Sequence, residues 1–363
     1  MCSGRRCGRL KRHGKGGWLR LNMRELAYRL LGYSGVTGAA RRRNRVYRRV
    51  LVYHSVSPTE GRYTRGLAVT VHPDTFERQM VYLKRYYRFH GLQEVGNPDG
   101  GSQSEKGAIA VTFDDGFGDN YRFAFPILKT YGIPATVFLV TDALDNRTLL
   151  WMHRLAYLVN ACGGQAVVEA VEALSGERFR SSDGQPSMRA LRERLTCRTP
   201  PKDRDELLNS LCEELKTWPE QSVEREGLYL TSAEIKEMTQ GGIAFGSHGV
   251  THTALAALSG RAQMDELRRS KRVVEEVAGN ECPYFAYPFG EPRHYRPESQ
   301  ALVHQAGYEC VVKVGGGWNP AGKAAALDRI KVEEEPLPAF ASRIEGISLR
   351  SGLRGLRGSP PVQ

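Results

Sequence analysis

The sequence lacks the features that most quickly place a chain in a class. Its cysteines, Cys2, Cys7, Cys162, Cys197, Cys212, Cys282 and Cys310, are odd in number and form no Cys-x-x-Cys pair. Neither a disulfide framework nor a thiolate zinc site can be read from them. Long apolar runs are missing too: the longest, Ile133 to Val140, has eight residues and contains Pro134, against the roughly 20 that a membrane-spanning helix needs. Met1 to Arg20 is mostly Gly and Arg around a lone Trp18, without the apolar core of a secretion signal. The expected setting is therefore the cytoplasm or the inner face of the membrane.

Acidic residues are scarce in one place only. Residues 1–49 carry fifteen Lys/Arg and one acid, Glu25, whereas the remaining 314 residues hold 37 bases and 39 acids. The net charge of +12 thus belongs to a basic leader, and the nearly neutral body is not expected to bind nucleic acid. Within the leader, Met23 begins a pattern with Leu26, Leu30 and Leu31 on one side. It suits either peripheral contact with an anionic membrane or a helix packed on the body. Met23 is also a candidate start. With 40% hydrophobic residues, the rest of the chain has ample material for a core.

From Val50 onward, short apolar runs alternate with helical patterns. Strands are expected at 50–53, 108–112, 135–140, 242–246, 284–287, 309–313 and 326–332, with helices near 74–88, 120–131 and 261–278. Residues 141–227 break the rhythm and read as a helical insertion, least ordered near 176–201. Residues 341–363 read as a disordered tail. Seven strands alternating with helices imply a parallel α/β fold. In a barrel of that kind, the C-terminal strand ends share one rim where reactive groups gather. His54, Asp114-Asp115 and Ser247-His248 each follow such a strand.

Two motifs carry the chemistry. In Thr112-Phe-Asp114-Asp115-Gly116, adjacent carboxylates precede a residue that permits a sharp turn. Such carboxylates repel each other unless a cation lies between them, and an Asp here could equally cap the turn. In His248-Gly-Val-Thr-His252 the spacing places two imidazoles on one side of a helical turn, and there is no Glu to complete a metalloprotease motif. One Asp and two His make a facial ligand set for a divalent cation, Zn²⁺ first, with Fe²⁺, Co²⁺, Ni²⁺ and Mn²⁺ also compatible. The remaining carboxylate would act as a base, an arrangement suited to metal-assisted hydrolysis.

The runs VTFDDGFGDNYRFAFPILKTYGIPATVFLV (111–140), GSHGVTHTAL (246–255) and FAYPFGEPRHY (285–295) resemble the polysaccharide deacetylases, the NodB-homology domain of carbohydrate esterase family four. The resemblance implies a distorted (β/α)₇ barrel, here with a helical insertion and a basic N-terminal extension. The implied boundaries are 1–49 for leader and amphipathic helix and 50–340 for the barrel. It implies hydrolysis of N-acetyl groups on an amino-sugar polysaccharide or glycan precursor. Asp114 would be the catalytic base, and Asp115, His248 and His252 the metal ligands. The oxyanion would be met by a backbone N–H at Tyr287 or a neighbour, and Tyr287, Pro288, Phe289 and Arg293 would contact substrate. The family's base-orienting Arg has no counterpart near Ala286, which leaves Arg293 as a substitute. Its late Leu-x-x-His motif is missing too, which leaves His54 as the first candidate acid, ahead of His294 or a double role for Asp114. Among aromatic side chains, one or two of Phe117, Trp151, Tyr287, Phe289 and Tyr295 are expected to touch sugar, and Asp119 is expected to cap the helix at Asn120. His153 is expected to be structural or on the surface. The competing readings are a binding module whose Arg-rich leader takes nucleic acid or anionic lipid, and a deacylase of a small amide.

Overall fold

The seven apolar runs become seven parallel strands: β1 Arg48–Tyr53, β2 Gly107–Phe113, β3 Ala135–Leu139, β4 Ala244–Ser247, β5 Tyr284–Ala286, β6 Cys310–Val314 and β7 Leu327–Lys331. Each pairs with the next, and β1 pairs with both β2 and β7, closing a (β/α)₇ barrel. The computed structural model describes residues 35–96, 107–219, 223–320 and 325–347. The proposed amphipathic helix near Met23 lies outside them. Among the described residues, no helix is long and apolar enough to cross a membrane, and Cys162, Cys197, Cys212, Cys282 and Cys310 are all free thiols.

Alternation along each strand sorts the side chains into two layers. Val50, Ala110, Phe138, Ala286, Val312 and Leu327 pack together as one cluster. Leu51, Phe113, Val137, Phe245 and Phe285 join the larger core with helix residues such as Phe76, Met80, Leu128 and Leu267. The barrel is tight at Gly246, where a Cβ would lie 2.6 Å from the Phe138 ring.

Three elements differ from expectation. Helix Val36–Asn44 precedes the barrel, where only charge was legible. Helix Leu337–Ile344 runs past 341, because Phe340 and Ile344 are fully buried in the main core, so the tail does not begin there. The stretch 176–201 holds helix Met188–Cys197, started by a Ser187 side chain that accepts from the Ala190 N–H. Its Leu191 and Leu195 are buried with Leu155, Val167, Leu208 and Leu211 in a core separate from the barrel's. Burying each such leucine contributes about 1.5–3 kcal/mol, enough to order a short polar helix.

Candidate active site

Asp114 and Asp115 leave β2 through a sharp turn. Asp115 and Gly116 both adopt left-handed backbone, with φ of 69° and 64°, and a Cβ on Gly116 would approach Leu139 Cδ2 to 2.9 Å. His252 (φ 54°) and Phe289 (φ 64°) share this uncommon conformation. Such backbone costs on the order of 1–3 kcal/mol for ordinary residues and clusters where side chains must be aimed. Gly249, between the histidines, has φ 83°, a conformation that favours glycine.

These turns bring distant groups together. His252 Nε2 lies 3.2 Å and His248 Nε2 3.7 Å from Asp115 Oδ1, and His248 Nε2 lies 3.6 Å from Asp114 Oδ2. All four residues are buried. His248 Nδ1 is 2.8 Å from the Ala286 carbonyl, so its N–H donates there and Nε2 is left as a lone-pair donor. Asp115 Oδ1 and His252 Nδ1, both buried, have no hydrogen-bond partner among the described residues. One carboxylate oxygen and one nitrogen from each imidazole lie within 4.8 Å of one another. A buried, unsatisfied set of one Asp and two His fits a divalent cation.

Arg329 completes the site. Its Nη1 and Nη2 donate to Asp114 Oδ1 and Oδ2 at 2.6 and 2.7 Å, and Nη1 also reaches Thr112 Oγ1 at 3.3 Å. Burial opposes ionisation of Asp114, but Arg329, followed by His248, holds its carboxyl below the ordinary range. Burial likewise opposes Asp115, and His252, His54 and His248 hold it well below that range. The two carboxylates therefore stay ionised by different means. Arg293 does not take the base-orienting place: its guanidinium is 2.9 Å from Glu291 and touches His294. Arg329 was missed by motif reading, yet strand alternation puts Arg329 and Lys331 on one face of β7, and that was its only signal.

A cavity of about 470 Å³ opens beside these groups, lined by His54, Asp114, Asp115, His248 and His252, with Phe289, Arg293 and His294. Tyr287 and Pro288 are not part of its wall. Tyr287 is buried against Phe285 and Tyr295, and its N–H donates to the Val312 carbonyl at 3.2 Å, so it cannot meet an oxyanion. Proline has no N–H to offer in its stead. His54 borders the cavity with Nδ1 unpartnered, its pKa lowered by burial against the pull of Asp115 and Asp114. Asp119 does not cap a helix. It accepts from Ser55 Oγ (2.6 Å) and the Val56 N–H (3.1 Å), and burial pushes its carboxyl up to about 6.

The insertion supplies a second wall. Trp151, Met152, His153 and Leu155 line it from one helix, and Arg189, Arg192, Glu193, Thr196 and Cys197 from another. His153 is buried with Nδ1 2.7 Å from the Tyr229 hydroxyl, and burial lowers its pKa to about 4. The insertion also touches the ligand loop. Trp151 Nε1–H donates to the His252 carbonyl at 3.3 Å, and buried Arg204, stacked on Trp151, donates to Thr253 Oγ1 at 3.0 Å. From the barrel side, Glu266 accepts from the Val250 N–H (2.6 Å) and the Thr251 hydroxyl (2.7 Å).

Comparison with known proteins agrees with this geometry. The polysaccharide deacetylase family profile matches residues 101–175 and 213–311. YxkH of Bacillus subtilis (strain 168), provisionally named a polysaccharide deacetylase, is 22% identical over 291 residues, 78% of this chain and 70% of its own length. The Streptococcus pyogenes deacetylase PplD, solved with acetate, superposes with a TM-score of 0.53 at 21% identity, covering 81% of this chain and 96% of that one. IcaB from Ammonifex degensii gives 0.52 at 20% identity, covering 83% and 96%. These last two likenesses establish the barrel. From the matched profile, which spans β2 through the His248–His252 loop and β5, we conclude that this chain belongs to the polysaccharide deacetylase family of hydrolases.

Proposed function

We propose that the protein is a divalent-metal-dependent hydrolase that removes N-acetyl groups from an amino-sugar glycan. The observation that carries this reading is the division of labour between adjacent carboxylates: Asp115 faces two imidazoles, whereas Asp114 is clamped by Arg329. Asp115, His248 and His252 would hold the cation. When bound, it supplies Lewis acidity toward an amide carbonyl and its attacking water.

The chain's own residues account for the proton movements. Asp114 is kept anionic and fixed in orientation by two parallel charge-assisted bonds, which suits it to take the proton of the attacking water. His54, on the cavity wall, would pass to the departing amine the proton that Asp114 took from the water. Burial lowers its pKa, so it picks up that proton during turnover and does not store it at rest. Phe289, half-buried at the cavity and edge-on to His252, offers a flat apolar surface for a sugar ring. Arg293, with Glu291, remains a candidate substrate contact.

The test is acetate release from N-acetylglucosamine oligomers by the full chain loaded with Zn²⁺, compared with chelator-treated protein. Release that requires metal supports the reading. Release from chelated protein, or none from any N-acetylated sugar, would overturn it.

A further inference from the structure

The segment that the family profile leaves unmatched, 176–212, contains one wall of the catalytic cavity. Helix Met188–Cys197 is anchored by buried Leu191 and Leu195, which turns Arg189, Arg192 and Thr196 toward the cavity. Its arginines have different fates. Arg194, not part of the cavity wall, makes two bonds to Glu177 at 2.9 and 2.8 Å. The guanidinium groups of Arg189 and Arg192 have no hydrogen bond or ion pair among the described residues. They sit three positions apart, close enough on a helix to act together.

Arg293 and Lys331 add to this charge, while Glu193 and Glu291 oppose it. Glu291 is already paired with Arg293, and Lys331 lies 3.2 Å from Glu333. Asp114 is matched by Arg329 and Asp115 lies in the ligand set. Glu193, like Arg189 and Arg192, has no ion pair among the described residues, so the unpaired charge on the wall is two guanidinium forks against one carboxylate, a net of one positive charge. The hydroxyls and amide carbonyls of a neutral N-acetylated polymer can accept single bonds from a guanidinium, but they do not match its charge. An oxyanion does, because guanidinium matches carboxylate and phosphate oxygens two at a time.

We propose that Arg189 and Arg192 form a subsite for an oxyanion, phosphate or carboxylate, carried by the glycan next to the N-acetylated sugar. The proposal rests on the deacetylase reading and narrows its substrate to an anionic glycan or glycan precursor.

Two matched pairs test it: N-acetylglucosamine against its 1-phosphate, and N-acetylglucosaminyl-glucose against N-acetylglucosaminyl-glucuronate. The metal-loaded full chain should favour the anionic member of at least one pair by roughly tenfold or more in kcat/KM, mainly through KM. Which pair responds identifies phosphate or carboxylate. The preference should shrink in about 0.5 M NaCl and fall to near one in the R189Q/R192Q double variant. Those side chains are exposed and half-buried, so an unchanged Tm is the control for folding. In parallel, calorimetric titration of metal-free protein should show the same order of affinities. Ratios near one in both pairs, or a double variant that keeps the preference, would overturn the proposal while leaving the deacetylase reading intact. No acetate from any of the four compounds, with release from N-acetylglucosamine oligomers intact, would also overturn the proposal alone, and no acetate from the oligomers either would remove both.

Discussion

The cavity has two kinds of wall. On the barrel side, reactive groups stand at the ends of β1, β2 and β4 and are over-determined: Asp114 by Arg329, His248 by the Ala286 carbonyl, the ligand loop by Glu266. On the insertion side, Arg189 and Arg192 project from a helix anchored by Leu191, Leu195 and the Arg194–Glu177 pair, with no partners for their own charged ends among the described residues. Rigid placement suits groups that hold a metal or move a proton, whereas unsatisfied charge suits groups awaiting a ligand. Contacts between the walls include the Thr141 and Asp142 N–H groups, which donate to the Gly249 and Val250 carbonyls, and the side chains of Trp151 and Arg204, which reach His252 and Thr253.

The sharpest way to break this contrast is to remove a ligand. Asp115→Ala or His248→Ala should abolish tight Zn²⁺ binding in a calorimetric titration and with it all acetate release. Wild-type affinity in either variant would remove the ligand assignment. Asp114→Asn should come next, lowering kcat by about 10²–10⁴-fold while metal affinity stays near wild type. A parallel loss of metal would make Asp114 a ligand.

Arg329→Gln separates charge from position. Without Arg329, burial dominates and the Asp114 pKa rises, so the acid limb of the kcat/KM profile should move to higher pH. The sign for stability follows. In the native protein Asp114 titrates below its unfolded value, so its contribution is present above that value and is lost as pH falls through the folded one. In the variant that dependence reverses, and removing one partner of a buried pair costs about 3–5 kcal/mol near neutrality. An unmoved acid limb would show that Asp114 is not the base.

The smallest effect tests the link between the walls. Trp151→Phe keeps a ring beneath Arg204 but deletes the N–H donor to the His252 carbonyl. It should weaken metal binding toward the low end of the ~10–100-fold range for groups that orient ligands. Chemical stability should fall by only about 0.5–1.5 kcal/mol. Unchanged metal affinity would make the two walls independent.

The same contrast explains what could be read from the sequence. The carboxylate and imidazole pairs were legible because each motif is local: Asp114 and Asp115 are adjacent, and His248 and His252 are four positions apart, although they lie on a loop with left-handed Gly249 and His252 and not on the expected helical turn. The alternation of apolar runs and helical patterns gave a parallel α/β fold, and the family resemblance implied its closure into a barrel. Arg329 was not legible in this way, because it meets Asp114 across 215 positions through barrel closure. Tyr287 failed as an oxyanion contact because a motif does not report whether its N–H is already spent on β6. His153, expected to be structural or on the surface, is buried against Tyr229, and its place in the cavity wall had no signal in the sequence. The insertion's contribution was hidden for a further reason. Its helices pack on their own core, so nothing in their apolar pattern reveals which polar face meets the barrel.

The central claim is that one cation sits among Asp115, His248 and His252, with Asp114 outside its ligand set. Anomalous diffraction at the zinc edge from crystals of the Zn²⁺-loaded protein tests it directly. One peak is expected within about 2.0–2.2 Å of a carboxylate oxygen of Asp115 and one ring nitrogen each of His248 and His252. A peak bound to Asp114 in place of Asp115, or none at that point, would contradict it.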